Sequence, residues 1–306
     1  MLNKFISFWE YINNAEYITL CTHVEPDGDT LGSAIALKEL ILLNSRKTKE
    51  VKISGNDYPR NLLFLSEEKI DFVNDDYFNK SLKIVVDTST PSRIADKRVK
   101  TENSLKLDHH HKEAKWLFEI GGDNWPATGQ LIVQMIKLLN LKVNNKVLEA
   151  AAVAILSDTE FFRERNISSE TFESYALLLD KGLQHAKLLK SMALNNDENQ
   201  LIFNVCSNKQ VEGIVSYIIS QETISNDIVR PLVGKFVEIS NTEVQLAVLK
   251  RTQGNYRCEI RSKELFDVSI VAKHFKGGGH YNSAGFMIDD LEELKNVIQY
   301  INHLKN

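Results

Sequence analysis

A chain of 306 residues that is 43% hydrophobic and 25% charged has ample length for a large core, exceeds the usual single-domain size and has the composition of a soluble globular protein. Its net charge of −4 gives no global attraction to nucleic acid, although the stretch from Val244 to His280 carries seven Lys/Arg against three Asp/Glu and leaves a basic face open there. Three scattered cysteines (Cys21, Cys206 and Cys258) form no CxxC pair and no even-numbered framework, which disfavours zinc knuckles and structural disulfides and points to buried free thiols in a reducing cytoplasm.

The first ten residues lack the apolar core and cleavage site of a signal peptide, and no apolar run reaches the roughly 20 residues that a membrane-spanning helix needs. Tyr17–Thr22 reads as a strand, and Leu31–Leu43 has helical spacing through Leu31, Ala34, Ile35, Leu37, Leu40 and Ile41. Val51–Ser54 and Leu82–Val86 are predicted strands, and Leu105–Leu107 a short one. Gly129–Leu139 and Lys146–Leu156 are predicted helices, the second apolar enough to be buried. This alternation predicts an α/β fold with a mostly parallel sheet flanked by helices. Two more helices, Phe172–Leu183 and Ala186–Ala193, lead to the polar run Asn195–Gln200, taken as the boundary between domains at 1–194 and 195–306. Beyond it, Gly213–Ser220, Val233–Ile239, Glu243–Lys250 and Tyr256–Arg261 read as strands, Ser269–Phe275 as a helix, Gly277–Gly279 as a loop, Phe286–Ile288 as a strand and Leu291–Leu304 as a final helix. That predicts a smaller C-terminal α+β domain.

Four polar clusters follow apolar segments. His23, Asp27 and Asp29 follow the first strand, Asp87 follows Ile84-Val85-Val86, Asp108-His109-His110 follow Leu105–Leu107, and Asp158 follows Ala151–Leu156. In an open α/β sheet the carboxyl ends of the strands form one rim, where ligands collect. Taken singly, each cluster is ordinary. His-x3-Asp-x-Asp suits a turn that caps the next helix, and Asp87 or Asp158 suits an N-cap. Together, Asp27, Asp29, Asp87 and Asp158 would repel one another unless cations were bound, and two divalent ions balance four carboxylates. Gly28 is expected to permit the sharp turn that lets Asp27 and Asp29 face different ions. Imidazole beside carboxylate tilts the choice towards Mn²⁺, with Mg²⁺ as a substitute.

The set Asp108-His109-His110, His23-x3-Asp27-x-Asp29, Asp87 and Asp158 resembles the DHH phosphoesterase superfamily, and Gly277-Gly278-Gly279-His280-x2-Ser283-Ala284-Gly285 resembles the GGGH loop of its DHHA1 domain. Asn56-x2-Pro59 with Phe64-Leu65, and Phe162-Arg163-x2-Asn166, resemble the nanoRNase/pAp-phosphatase branch. The resemblance implies that His23 and Asp27 hold one Mn²⁺, that Asp29, His109 and Asp158 hold the other, and that Asp87 bridges them. It also implies that His110 faces the scissile phosphate while Asp108 orients the histidine pair. His111 is expected to be a solvent-facing bystander. Glu160 stands where the family usually has Gly, and Lys276 where a fourth Gly is frequent.

In the C-terminal domain the three glycines Gly277, Gly278 and Gly279 would expose N–H groups to an anion, and Arg261, Ser262 and His280 are the other candidate substrate contacts. A solvated strand end and a flexible linker are the plain readings of Arg261-Ser262 and of the glycine run. The expected function is a two-metal phosphoesterase acting on short RNA, linear dinucleotides such as pGpG, or 3′-phosphoadenosine 5′-phosphate (pAp). The expected setting is cytoplasmic, with no membrane and with a homodimer left open. The alternatives are a manganese-type inorganic pyrophosphatase and a catalytically silent nucleotide-binding sensor. Against the first, the chain lacks a Ser-Arg-Lys-Lys-Gln run; against the second, no metal ligand is missing.

Overall fold

Strands and helices alternate through the first of two units, Met1–Ala193, in a computed structural model that describes residues 1–66, 69–163, 166–279 and 281–304. The order is α1 (Leu2–Asn14), β1 (Tyr17–Cys21), α2 (Gly28–Asn44), β2 (Glu50–Ser54), α3 (Asp75–Lys80), β3 (Leu82–Val86), β4 (Ser104–Asp108), β5 (Phe118–Gly121), α4 (Thr128–Leu139), α5 (Asn145–Asp158), α6 (Ser169–Asp180) and α7 (His185–Met192). The five strands form a parallel sheet in the order β2-β1-β3-β4-β5. Side-chain alternation divides β1 and β3 between two cores. Ile18, Leu20, Ile84, Val86, Leu105 and Leu107 join α1, α2, α4 and α5 on one face. Cys21 and Val85 meet Tyr77, Phe78, Ile94 and Trp116 on the other.

Three elements of this unit lie outside the predicted set. Helix α1 buries Phe5, Phe8 and Ile12 at helical spacing. Helix α3 is capped by Asn74, whose side chain accepts from the Tyr77 N–H. Strand β5 has only four residues and closes the sheet edge beside β4.

The second unit, Leu194–Asn306, contains α8 (Asn196–Ser207), β6 (Gln210–Glu212), β7 (Val215–Thr223), α9 (Asn226–Glu238), β8 (Val244–Lys250), β9 (Tyr256–Ser262), α10 (Val268–His274), β10 (Gly278–Gly279), β11 (Ser283–Ile288) and α11 (Glu292–Leu304). Its six strands run in the order β10-β11-β9-β8-β7-β6, antiparallel except for β7 with β8. Val248, Ile260 and Phe286 pack with α10 and α11 on one face. Ile218, Ala247 and Leu249 pack with α8 and α9 on the other.

Here the structure corrects two expectations. Val233–Ile239 is not a strand, because its residues form the end of α9 and the turn that follows. A parallel pair such as β7 and β8 needs a crossover, and α9 supplies it. Its buried positions, Ile228, Val229, Leu232, Val233 and Phe236, have helical spacing that Pro231 and Gly234 obscure. The polar run Asn195–Gln200, expected at the boundary between domains, opens α8 at the start of the second unit: Asn195 accepts from the Glu198 N–H while the Glu198 carboxylate accepts from the Asn195 N–H. Gly278 and Gly279, expected in a loop, pair with Gly285 and Ala284 as a two-residue strand.

Candidate metal centre

Three adjacent parallel strands deliver polar residues to one edge. β1 leads to His23, β3 to Asp87, and β4 ends on Asp108 before His109 and His110. After β2 the chain crosses to the far side of β1, so β1 and β3 flank the point where strand order reverses, the usual place for a ligand crevice in such a sheet. Asp87 itself has φ +61°, in the left-handed region, and this sparsely populated conformation turns the chain at the rim.

Helices supply the other carboxylates, and small residues let those helices approach. A methyl group on Gly28 would stand 1.9 Å from Ser157 Oγ, and one on Gly32 would stand 2.5 Å from the Ala150 carbonyl oxygen. On Gly129 it would stand 2.5 Å from Ala154 Cβ. Gly28 is therefore required for close approach of α5, not for the sharp turn expected of it; it is the first helical residue of α2. The contact brings Asp29, in the first turn of α2, to Asp158 at the end of α5 and to the start of α4.

Asp27 caps α2 by accepting from the N–H groups of Asp29 (3.1 Å) and Thr30 (3.2 Å), so its turn-capping role coexists with membership of the cluster. Asp29 accepts from the N–H groups of Thr128 (2.7 Å) and Gly129 (2.9 Å) and from Ser33 Oγ (3.1 Å). It thereby caps α4, whose own N-cap, Ala127, has no side-chain acceptor. Thr128 Oγ1 donates to Asp87 Oδ1 at 2.9 Å. Thr128 was not among the predicted site residues; the sequence signal was a threonine at the start of an apolar helical run.

His23 and His109 are oriented alike. His23 Nδ1 lies 2.8 Å from the Val24 carbonyl and His109 Nδ1 lies 3.1 Å from the Trp125 carbonyl. A carbonyl only accepts, so each Nδ1 carries the proton and each Nε2 is left to face the carboxylates. His23 Nε2 stands 3.5 Å from Asp87 and 3.7 Å from Asp27. His109 Nε2 stands 3.0 Å from Asp158, 3.4 Å from Asp87 and 3.8 Å from Asp29. Although close to Asp158, it is buried without a hydrogen-bond partner of good geometry among the described residues. A buried, unsatisfied imidazole nitrogen ringed by carboxylate oxygens suits a divalent cation. The potential ligand atoms fall into the groups His23–Asp27–Asp87, Asp29–Asp87–His109–Asp158 and Asp87–His109–His110, all three sharing Asp87.

The electrostatics agree. Burial, then Asp87 and Asp158, push the Asp29 carboxyl well above its usual range. Burial lowers the pKa of His23, but Asp27 and Asp87 outweigh it and push it up to about 10. A raised folded pKa means stability that is complete below the ordinary histidine value and is lost as pH rises towards about 10. We therefore expect chelated protein to lose several degrees of melting temperature across that window, with His23→Gln flattening the dependence; thermal unfolding against pH checks this.

Asp108 is fully buried and its Oδ1 accepts from His110 Nδ1 at 2.6 Å. It reaches His110 but not His109, which the Trp125 carbonyl holds instead. Ser89 Oγ and Lys106 Nζ both donate to Asp108 Oδ2. The His111 side chain is 78% exposed and lies 3.3 Å from Asp123.

Glu160, Phe161 and Phe162 follow the end of α5 with φ of +45°, +57° and +65°. This run accounts for the strain of a non-glycine residue at 160, where left-handed backbone costs about 1–2 kcal/mol. Glu160→Gly is expected to raise stability by about 0.5–1 kcal/mol after glycine's entropic cost; denaturant unfolding would show this, with Glu160→Ala as the unstabilised control. Lys276 has φ +60° and occupies the same kind of position.

In the second unit, Arg261 is 18% exposed and is engaged with Glu259 Oε2 (3.2 Å) and the Ile260 carbonyl (3.0 Å). Glu259, between Arg257 and Arg261, is held below its usual range because the two arginines outweigh burial. Ser262 follows Arg261 on β9, so the two side chains point to opposite faces. The Gly277 N–H is already bonded to the Ala272 carbonyl at 2.7 Å, whereas Gly278 and Gly279 are exposed in β10. His280 lies outside the described residues.

The family model for the DHH family, N-terminal domain, matches residues 17–155, and that for the DHHA1 domain matches residues 210–306. The probable bifunctional oligoribonuclease and PAP phosphatase NrnA of Streptococcus mutans is 29% identical, with 94% of each chain covered. The bifunctional oligoribonuclease and PAP phosphatase NrnA of Bacillus subtilis is 28% identical, with 92% of each covered. In fold, an exopolyphosphatase-related protein from Bacteroides fragilis superposes with a TM-score of 0.85 at 20% identity, covering 99% of this chain and 96% of that one. With its rim of histidines and aspartates and these two matched domains, the chain belongs to the DHH family and carries a DHHA1 domain as its second part.

Proposed function

We propose that the chain is a Mn²⁺-dependent cytoplasmic phosphoesterase that hydrolyses short oligoribonucleotides and linear dinucleotides to 5′-mononucleotides, and pAp to AMP. The observation that carries this reading is the sharing of Asp87 between two groups of potential ligands, His23–Asp27–Asp87 and Asp29–Asp87–His109–Asp158. The first would hold one cation and the second the other. Two divalent cations bound there would supply Lewis acidity at the phosphoryl oxygens and a water acidic enough to ionise near neutral pH. The mixed imidazole and carboxylate donors favour Mn²⁺ over Mg²⁺. The names carried by the Streptococcus mutans and Bacillus subtilis relatives support the substrate class over the pyrophosphatase and the silent sensor.

The chain's own residues have distinct tasks in this proposal. His23 and His109 present Nε2 because backbone carbonyls hold their Nδ1 protons. His110, one-third exposed, is held at Nδ1 by Asp108, which leaves its Nε2 to hydrogen-bond a phosphate oxygen. The Asp29 and Thr128 contacts keep the rim rigid. Arg261, Ser262, Gly278, Gly279 and His280 are the proposed substrate contacts, with Arg261 exchanging its Glu259 partner for a phosphate, while Gly277, whose N–H is held by the Ala272 carbonyl, leads into them.

The test is one panel of hydrolysis rates with Mn²⁺ on pAp, labelled two- to five-mers, longer RNA and pyrophosphate. Turnover of pAp and the short oligomers, with release of 5′-mononucleotides, is expected. Turnover of pyrophosphate alone would transfer the assignment to a pyrophosphatase.

A further inference from the structure

Lys106 occupies the middle of β4, with β3 on one side and β5 on the other, and is 2% exposed. A lysine inside a covered parallel sheet is unusual, because such strands are apolar on both faces and a buried ammonium must be paired. Strand alternation puts Lys106 and Asp108 on the same face, opposite Leu105 and Leu107. Lys106 Nζ donates to Ser89 Oγ at 2.8 Å and to Asp108 Oδ2 at 3.3 Å. Glu119 Oε2 lies 3.5 Å away, and the Trp116 ring centroid 5.9 Å away. Ser89 also donates to Asp108 Oδ2. One oxygen of the buried carboxylate therefore takes two donors from within the fold, and the other takes His110 Nδ1 at 2.6 Å.

We infer that Lys106, acting with Ser89, is a positioning residue for the reaction: it anchors Asp108 Oδ2 so that Oδ1 fixes the ring orientation and tautomer of His110. The inference rests on the phosphoesterase reading above. A carboxylate with both oxygens committed has one rotamer, and an imidazole donating to it from Nδ1 presents Nε2 as its other face. Without the ammonium, Asp108 Oδ2 would have one fewer donor, and the grip of Oδ1 on His110 would loosen.

The experiment uses full-length protein with Lys106→Met, which keeps side-chain length and removes the charge. Two quantities are read. One is the hydrogen-bonded Nδ1 proton resonance of His110 in Mg²⁺-loaded protein, assigned by its loss in His110→Gln. The other is steady-state kinetics on pAp. The expected result is a lost or upfield-shifted resonance and a kcat reduced about ten- to a hundredfold, as for other residues that orient an active group from behind, with KM changed less than about twofold. Should Lys106→Met fail to fold, Ser89→Ala removes one Asp108 donor while keeping every charge, and the same two changes are expected in smaller degree. A folded variant with an unmoved resonance and unchanged kcat would overturn the inference and leave Lys106 a purely structural counter-charge. Because the resonance is read without substrate, its failure to move is distinct from failure of the phosphoesterase reading, which would show as a wild type inactive on every substrate.

Discussion

Asp87→Ala is expected to lower kcat by at least about a thousandfold, about 4 kcal/mol of lost transition-state stabilisation, while the protein stays folded. Asp87 is the one residue common to all three groups of potential ligands. It lies within 3.5 Å of His23 Nε2 and 3.4 Å of His109 Nε2, and it accepts from Thr128 Oγ1. Its loss therefore takes a donor from both proposed cation sites at once. Its left-handed backbone is better tolerated by asparagine than by alanine, so Asp87→Asn separates loss of charge from backbone strain. Both variants should lose turnover and bind Mn²⁺ more weakly, with melting temperatures near wild type. If either kept more than about a tenth of wild-type kcat, a cost of only about 1.4 kcal/mol, Asp87 would not be the shared ligand.

Gly32→Val is expected to cost about 3 kcal/mol of stability and to weaken cation binding, although residue 32 is not itself a proposed ligand of the cluster. A Cβ there would stand 2.5 Å from the Ala150 carbonyl oxygen and 2.9 Å from the Ala154 N, both backbone atoms of α5 that no rotamer change can move. Overpacking of a dense core costs about 1–3 kcal/mol, and contact with rigid backbone belongs at the upper end. Relief requires α2 to move away from α5, which separates Asp29 from Asp158. Denaturant unfolding measures the first effect, and Mn²⁺ binding to the folded variant measures the second. Wild-type stability would show that this helix contact does not set the geometry of the rim.

The features legible in the sequence were those with strong local periodicity. Leu82–Val86 was bounded correctly, and the other strands of the first unit that were predicted came within a residue or so of their observed ends, because a covered parallel strand reads as an apolar run. Convergence of His23, Asp87 and Asp108 on one rim followed from the same parallel topology. Less local features were missed. In α9, Pro231 and Gly234 interrupt the helical pattern, and the need for a crossover between β7 and β8 is a tertiary fact. Thr128 and Ser33 hold carboxylates through contacts that residue type alone does not announce, one of them across 99 positions. The sequence around Gly28 suggests a sharp turn, whereas its actual role, close approach of α5, is invisible before the helices are packed. Lys106 was hidden because a lone charge in an apolar run reads as a surface position until alternation places it beside Asp108.

The proposed function requires this cluster to hold two divalent cations for cutting phosphoesters of short RNA and pAp. The most direct measurement strips the protein with a chelator, returns Mn²⁺ in steps, and follows bound metal and AMP release from pAp in the same samples. The stripped protein is expected to show no turnover, to bind two ions per chain at saturation, and to regain activity with them. Full turnover in excess chelator would contradict it.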